Sequence, residues 1–303
     1  MAVPPDRSHV LTEQRNPRTL DLHSLSVAQC VQVIQQEDRA VLSALEIAAP
    51  QIDAFISDAE AGFLAGGRLV YVGAGTSGRL GVLDASEAPP TFQVEPGRII
   101  GIIAGGDSAL RQSSEGKEDD EAGAWDELRA LNLTEKDAVI GIAAGGTTPY
   151  VQGVFDFLAK LPRKPVCALI SCSPVARPAH AGHLIVLATG PEVLTGSTRM
   201  KAGTATKMAL NTISTVLMVR AGRVYENLMV DLRATNDKLR DRGARIISTL
   251  TQLGRPEALL LLEQAGNSVK AAIVMHHLRV DRDGAEKLLR AHDGRLDRVL
   301  HRR

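Results

Sequence analysis

Five short apolar runs rich in β-branched residues, at 68–72, 98–104, 138–143, 166–171 and 184–188, recur between segments long enough to hold a helix. Runs that are apolar at nearly every position, rather than at every second one, belong to strands covered on both faces, and such strands pair in parallel through crossover helices. The spacing therefore predicts an α/β fold, a doubly wound five-stranded parallel sheet flanked by helices. Ligands of open sheets of this kind bind beyond the carboxyl ends of the strands, near the point where the strand order reverses. Each loop that follows one of the five runs is thus a candidate site.

Around that core the pattern is helical. Residues 24–64 place Ala28, Val31, Val33 and Ile34, then Val41, Leu42 and Leu45, at helical spacing, with Pro50 expected as a break. Residues 201–220 read as a long apolar helix ended by Gly222, and 227–240 as a polar helix with an apolar stripe. Beyond Gly254 and Pro256, three short helical patterns at 257–265, 268–278 and 283–290 predict a small three-helix module. The expected organisation is a helical lead-in over 1–66, a ligand-binding α/β domain over 67–245 and a small helical domain over 250–303.

Charge narrows the partners. Lys and Arg total 35 and Asp and Glu total 35, so there is no electrostatic footprint for nucleic acid or an acidic membrane surface. Residues 1–18 are charged and Pro-bearing without an apolar core, and no uninterrupted apolar run nears the roughly 18 residues that span a bilayer. A cytoplasmic protein is expected. Cys30, Cys167 and Cys172 are an odd set without a C-x-x-C pair and read as reduced core or near-core residues. His180 with His183, and His276 with His277, have no further ligands at metal-binding spacing, so no metal is expected.

The loop after the first run, Gly73-Ala74-Gly75-Thr76-Ser77-Gly78-Arg79, matches G-x-G-x-x-G between a strand and a helix. A dinucleotide site would also need an acidic residue at the tip of the second strand, but that strand ends Ala104-Gly105-Gly106 and Asp107 falls too late. The hydroxyls of Thr76 and Ser77, with exposed N–H groups at a helix N-terminus, suit a phosphate monoester better. Two other loops, Gly145-Gly146-Thr147-Thr148 and Gly196-Ser197-Thr198, have the same character, although Gly, Ser and Thr are also ordinary loop residues. Ser77 lacks the G-x-S-x-G setting of a nucleophile.

Two carboxylates lie near these loops. Glu87 stands before Pro89-Pro90, expected just beyond the first crossover helix, where the prolines would stiffen the segment that presents it; alone it reads equally as a solvated or capping residue. Glu118 belongs to the charge run 115–121, and spacing does not separate it from its neighbours.

Four segments resemble the N-acetylmuramic acid 6-phosphate etherases, a family built on the sugar isomerase (SIS) domain. They are Thr12-Glu13 with Arg15-Asn16-Pro17, GAGTSGRLGVLDASEAPP at 73–90, GSTRMKAGTA at 196–205 and NLMVDLRATNDKL at 227–239. The resemblance implies an SIS-type sheet and hydrolytic removal of the D-lactyl group from carbon 3 of a phosphorylated amino sugar, in cell-wall sugar catabolism and without a cofactor. It places the family's two acid/base glutamates on Glu87 and Glu118, and the phosphate and sugar contacts on Gly75, Thr76, Ser77, Gly78, Arg79, Gly145, Gly146, Thr147, Thr148, Ser197, Thr198 and Lys201. By analogy it also implies a homodimer. The sequence departs from the family at Gly145, where many members carry a phosphate-contacting serine. A sugar-phosphate sensor and an aldose–ketose isomerase are the alternatives that the same domain allows.

Overall fold

A computed structural model of the chain describes residues 6–112, 114–232, 234 and 236–300. Two helices come first, α1 (Val27–Asp38) and α2 (Ala40–Leu64), followed by β1 (Leu69–Gly73), α3 (Gly75–Phe92), β2 (Ile99–Ile103), α4 (Trp125–Ala130), β3 (Ala138–Ile142), α5 (Pro149–Ala159), β4 (Val166–Ser171), β5 (His183–Val186) and α6 (Lys201–Arg220). The chain then forms a small hairpin, β6 (Val224–Tyr225) with β7 (Leu228–Met229), and five helices, α7 (Asp237–Thr251), α8 (Arg255–Gln264), α9 (Val269–Leu278), α10 (Arg282–Ala291) and α11 (Leu296–Leu300). It divides into two compact units: residues 1–86 with 97–214, and residues 87–96 with 215–303.

The first unit holds the predicted sheet, in order β2-β1-β3-β4-β5 with every pairing parallel. The strands read as continuous apolar runs because both faces are covered. On one face Val70, Val72, Val139 and Leu169 pack with Tyr150, Val151, Val154, Phe155 and Leu158 of α5 and Leu128 of α4. The opposite face carries α2, which packs against β3, β4 and β5. There Tyr71, fully buried, donates its hydroxyl to Asp84 of α3 at 2.8 Å, and the same carboxylate accepts from Asn211 at 2.8 Å and Ser214 at 3.2 Å of α6.

Three local expectations are corrected. The chain turns at Arg39 between α1 and α2, and Pro50 lies inside α2, so the lead-in breaks eleven residues before the proline. Pro89 and Pro90 likewise lie inside α3, which places Glu87 on the helix rather than beyond it. Residues 227–240 are not one helix: Leu228–Met229 is a strand, and α7 starts at Asp237 because the Asn236 side chain accepts from Leu239 N–H at 2.9 Å. The segment Val27–Leu64 is long and apolar enough to cross a membrane by length and composition. Its side chains Val41, Ala44, Ala48, Ile52, Phe55, Ile56, Ala59 and Phe63 are buried in this structure.

The second unit has its own core, in which Ile246 and Ile247 of α7, Leu262 of α8, Ile273 and Val274 of α9, Ala285 of α10 and Leu296 and Val299 of α11 are buried together. The three predicted tail helices are present as α8, α9 and α10, and α7 and α11 complete the cluster. Lys270, on α9, is buried and paired with Asp231 at 2.8 Å.

Asp84 is the single acceptor for three donors that join β1, α3 and α6. Asp84→Ala should therefore leave the buried Tyr71 hydroxyl without its partner and lower the unfolding free energy by roughly 2–4 kcal/mol, read by denaturant titration. Loss below about 0.5 kcal/mol would show that the triad contributes little.

Candidate active site

Strand order reverses at β1, whose neighbours are β2 on one side and β3 on the other. Beyond the carboxyl ends of β1 and β3 lies a pocket of about 160 Å³. It is lined by Ala74, Gly75, Thr76 and Ser77 after β1, by Ala144, Gly145, Thr147 and Thr148 after β3, by Gly196 and Thr198 before α6, by Glu118, and by Arg7, Val10 and Glu13 of the N-terminal segment.

The local chain folds this way for steric and hydrogen-bonding reasons. Gly75 opens α3 at φ +52°, which favours glycine, and a Cβ placed there would press on Glu118 Oε1 at 3.0 Å. Thr148 heads α5, followed by Pro149 at the first helical position, and its side chain makes no capping bond. Neither α3 nor α5 carries an acidic residue in its first turn. The first turn of α3 and five hydroxyl side chains, those of Thr76, Ser77, Thr147, Thr148 and Thr198, thus belong to one pocket, an arrangement that favours an anion through N–H and O–H dipoles. Glu118, half-buried, follows the 3₁₀ turn Glu115–Lys117, and its carbonyl accepts from Tyr150 N–H at 3.0 Å, which ties it to α5.

The N-terminal segment is a wall of this pocket that sequence reasoning missed as such; its signal was the Thr12-Glu13 and Arg15-Asn16-Pro17 string. Thr12 N–H donates to Ser173 Oγ at 3.3 Å and its carbonyl accepts from Gly196 N–H at 3.2 Å. Thr19 Oγ1 donates to the Val193 carbonyl at 2.8 Å. The anchor beneath is Glu37 of α1, whose buried carboxylate accepts from Asn16 Nδ2 at 2.7 Å, Lys201 Nζ at 2.8 Å and both Nε and Nη2 of Arg18. The Arg18 hydrogen bonds, helped by Lys201 and Asn16 and opposed by burial, hold this carboxyl at about 2. Glu192, fully buried, accepts from the first backbone N–H groups of α6, Lys201 and Ala202, at 3.1 and 2.9 Å, while burial pushes its carboxyl up.

Several predicted site residues stand elsewhere. Lys201 is fully buried in its pair with Glu37 and does not line the pocket. Gly78 packs against Gly73, where a Cβ would meet the Gly73 carbonyl oxygen at 2.6 Å, and Arg79 donates to the Gln112 carbonyl at 3.2 Å. Gly146 lines an adjacent cleft with His9, Val10 and Thr147, and Ser197 lies half-buried between two lining residues. Glu87 is exposed and belongs to the second unit; α3 carries it twelve residues after Gly75, which at 1.5 Å per residue is about 18 Å of helix. No group of three His, Cys, Asp or Glu side chains that could hold a metal ion occurs among the described residues.

A parallel sheet with a glycine- and hydroxyl-lined pocket at its switch point defines the class, and residues 47–159 match the family described as the glucokinase regulatory protein N-terminal SIS domain. The chain is 48% identical to an N-acetylmuramic acid 6-phosphate etherase of Picosynechococcus over 97% of both chains. It is 49% identical to that of Gloeobacter violaceus, over 98% of this chain and 97% of the other, and 45% identical to etherase 1 of Bacillus licheniformis over 95% of each. The chain belongs to the N-acetylmuramic acid 6-phosphate etherase family.

Gly145 and Gly146 should respond oppositely to a side chain. A Cβ on Gly145 would meet Val10 Cγ1 at 3.4 Å, ordinary contact, whereas on Gly146, at φ +76°, it would fall 2.7 Å from Val175 Cγ1 and 2.8 Å from Ser171 Oγ. Gly145→Ser is expected to keep parental stability within about 0.5 kcal/mol, and Gly146→Ala to lose roughly 1–3 kcal/mol, measured by thermal and denaturant unfolding.

Glu37 predicts a pH dependence. Its carboxyl at about 2 in the folded chain lies below its ordinary 4.5, so the stability it contributes is present above the unfolded value and is lost as pH falls through the folded one. The shift corresponds to about 3 kcal/mol at neutral pH. The stability gap between parent and Glu37→Gln should be full at pH 7 and narrow between about pH 5 and pH 2; a gap independent of pH would refute the assignment.

Proposed function

We propose that the chain cleaves the D-lactyl ether of N-acetylmuramic acid 6-phosphate with water, giving N-acetylglucosamine 6-phosphate and D-lactate. The carrying observation is the pocket itself, where the N-terminus of α3 and the hydroxyls of Thr76, Ser77, Thr147 and Thr148 face a half-buried glutamate. The first group suits a sugar phosphate and the second suits proton transfer. The relatives matched over nearly the whole chain bear the etherase name rather than that of a sensor or an isomerase.

The chemistry accounts for two carboxylates. In the open-chain aldehyde the carbon 2 proton is acidified, so its removal lets the carbon 3–oxygen bond break. Lactate leaves, protonated at its ether oxygen, and an unsaturated aldehyde remains. Water then adds to carbon 3 and a proton returns to carbon 2. A general acid serves the leaving oxygen and a general base the carbon 2 proton, and both reverse roles on hydration. Glu118 is assigned as one of the pair from its place on the pocket wall, and Glu87 as the acid for lactate from the family string ASEAPP.

The eleven helical residues between Gly75 and Glu87 favour a homodimer in which Glu87 reaches the pocket of a second copy. Exposed Val27 and Val31 on α1 and Leu42 and Ile47 on α2 supply apolar surface for association. The cytosol, where phosphorylated sugars are held, is the compartment proposed.

Purified protein with N-acetylmuramic acid 6-phosphate should release free D-lactate, and no release from folded protein would overturn the function. Glu87→Gln and Glu118→Gln should each lose about a hundredfold to ten-thousandfold in turnover with the fold unchanged. If Glu87 is the leaving-group acid, Glu87→Gln should still exchange the carbon 2 hydrogen with deuterium, read by NMR, while Glu118→Gln should not. Equal volumes of the two inactive variants, unfolded and refolded together, should regain a fraction of parental activity if each site joins two copies.

A further inference from the structure

The phosphate of the proposed substrate is served by neutral donors, but the substrate carries a second anion, the lactyl carboxylate, which the product lacks. Seating it is an electrostatic problem, because the pocket already displays two carboxylates. Glu118 Oε1 stands 3.0 Å from where a Gly75 Cβ would be, and Glu13 Oε2 stands 3.2 Å from where a Gly196 Cβ would be. A third carboxylate brought into the same pocket is best seated against a cation of its own.

Among the described lining residues the only side-chain cation is Arg7. It has no ion-pair partner among the described residues, unlike Arg18, which is committed to Glu37. The segment that carries it is tied down beside the pocket. Arg7 itself accepts at its carbonyl from Val10 N–H at 2.9 Å, Val10 is buried, and Thr12 is bonded to Ser173 and Gly196. A planar guanidinium with an open fork matches a carboxylate in a bidentate way.

We infer that Arg7 is the specificity residue for the carboxylate-bearing ether, pairing with its lactyl carboxylate, and that the N-terminal segment thereby tells substrate from product. This rests on the etherase reading of the pocket. Because Arg7 would release its partner when lactate departs, the sugar phosphate product should be held by phosphate and hydroxyl contacts alone.

Calorimetric binding separates this inference from the reading beneath it. In a Glu118→Gln background, where turnover is slowed, N-acetylmuramic acid 6-phosphate and N-acetylglucosamine 6-phosphate are titrated into full-length protein with Arg7, Gln or Lys at position 7. Arg7→Gln should raise the Kd of the ether roughly tenfold and leave that of the product within about twofold, and Arg7→Lys should recover part of the loss. In the otherwise parental enzyme the same change should raise KM more than it lowers kcat. Parallel weakening of both ligands would assign Arg7 to the phosphate or to the segment's fold, and no change in either would remove it from the site; both results overturn the inference. Absence of lactate release by the parent enzyme overturns the etherase reading, and the two Kd values then still decide whether Arg7 recognises the carboxylate.

Discussion

The reversal of strand order at β1 is the constraint on which the rest of the structure depends. With β2 on one side and β3 on the other, the crossovers that leave β1 and β3 diverge to opposite faces of the sheet, and the gap between them lies beside the starts of α3 and α5. What would hold a phosphate follows from it: the first turn of α3, glycines that let the backbone approach, and hydroxyls on the residues that begin each helix; the start of α5 offers no free N–H, since Pro149 has none and Tyr150 and Val151 N–H donate to the Glu118 and Thr148 carbonyls. The core packing on β1 is correspondingly complete, with Leu69, Val70, Tyr71 and Val72 all fully buried. A shift of this strand would disturb both helix starts at once.

A second, smaller constraint works through Glu37. One buried carboxylate collects donors from Asn16, Arg18 and Lys201, so it joins the N-terminal segment to the first residue of α6. Breaking such a cluster on one side leaves a buried charge uncompensated, which is why its members act as a unit. The arrangement converts a short, irregular stretch of chain into a fixed wall, although that stretch has only 3₁₀ turns of its own at Leu11–Glu13, Pro17–Thr19 and Leu22–Ser24.

The sheet was legible because fully buried strands leave an unambiguous pattern, and observed strand ends differ from the expected ones by at most two residues, most at β5. Proline misled twice. Pro50 and the pair Pro89-Pro90 lie inside helices whose neighbouring turns are held by tertiary packing, which outweighs the local penalty. The polar string at 227–240 misled because a two-residue strand and a loop precede the Asn236 cap. Within the pocket the glycine and hydroxyl loops could be read from composition alone, since their role is local. Lys201, Arg7 and Glu13 could not, because what decides their positions is contact between residues more than 150 apart: Glu37 draws Lys201 away, and Gly196 ties down Thr12.

The diversion of Lys201 bears on the chemistry. A lysine opening α6 beside Thr198 looks like a phosphate ligand, and in many anion sites such a charge would be welcome. Here, proton transfer to and from carbon 2 and the ether oxygen calls for a carboxyl group that exchanges its proton readily, and a cation beside a carboxyl group favours the ionised form and weakens it as an acid. Phosphate binding by neutral N–H and hydroxyl donors adds no further cation to the pocket. Lys201 satisfies its charge against Glu37, outside the pocket lining, while the helix dipole of α3 supplies attraction for the anion without a mobile proton of its own. The proposed function thus assigns electrostatic binding and acid/base work to different groups, the dipoles at the strand ends and Glu118 on the loop after β2.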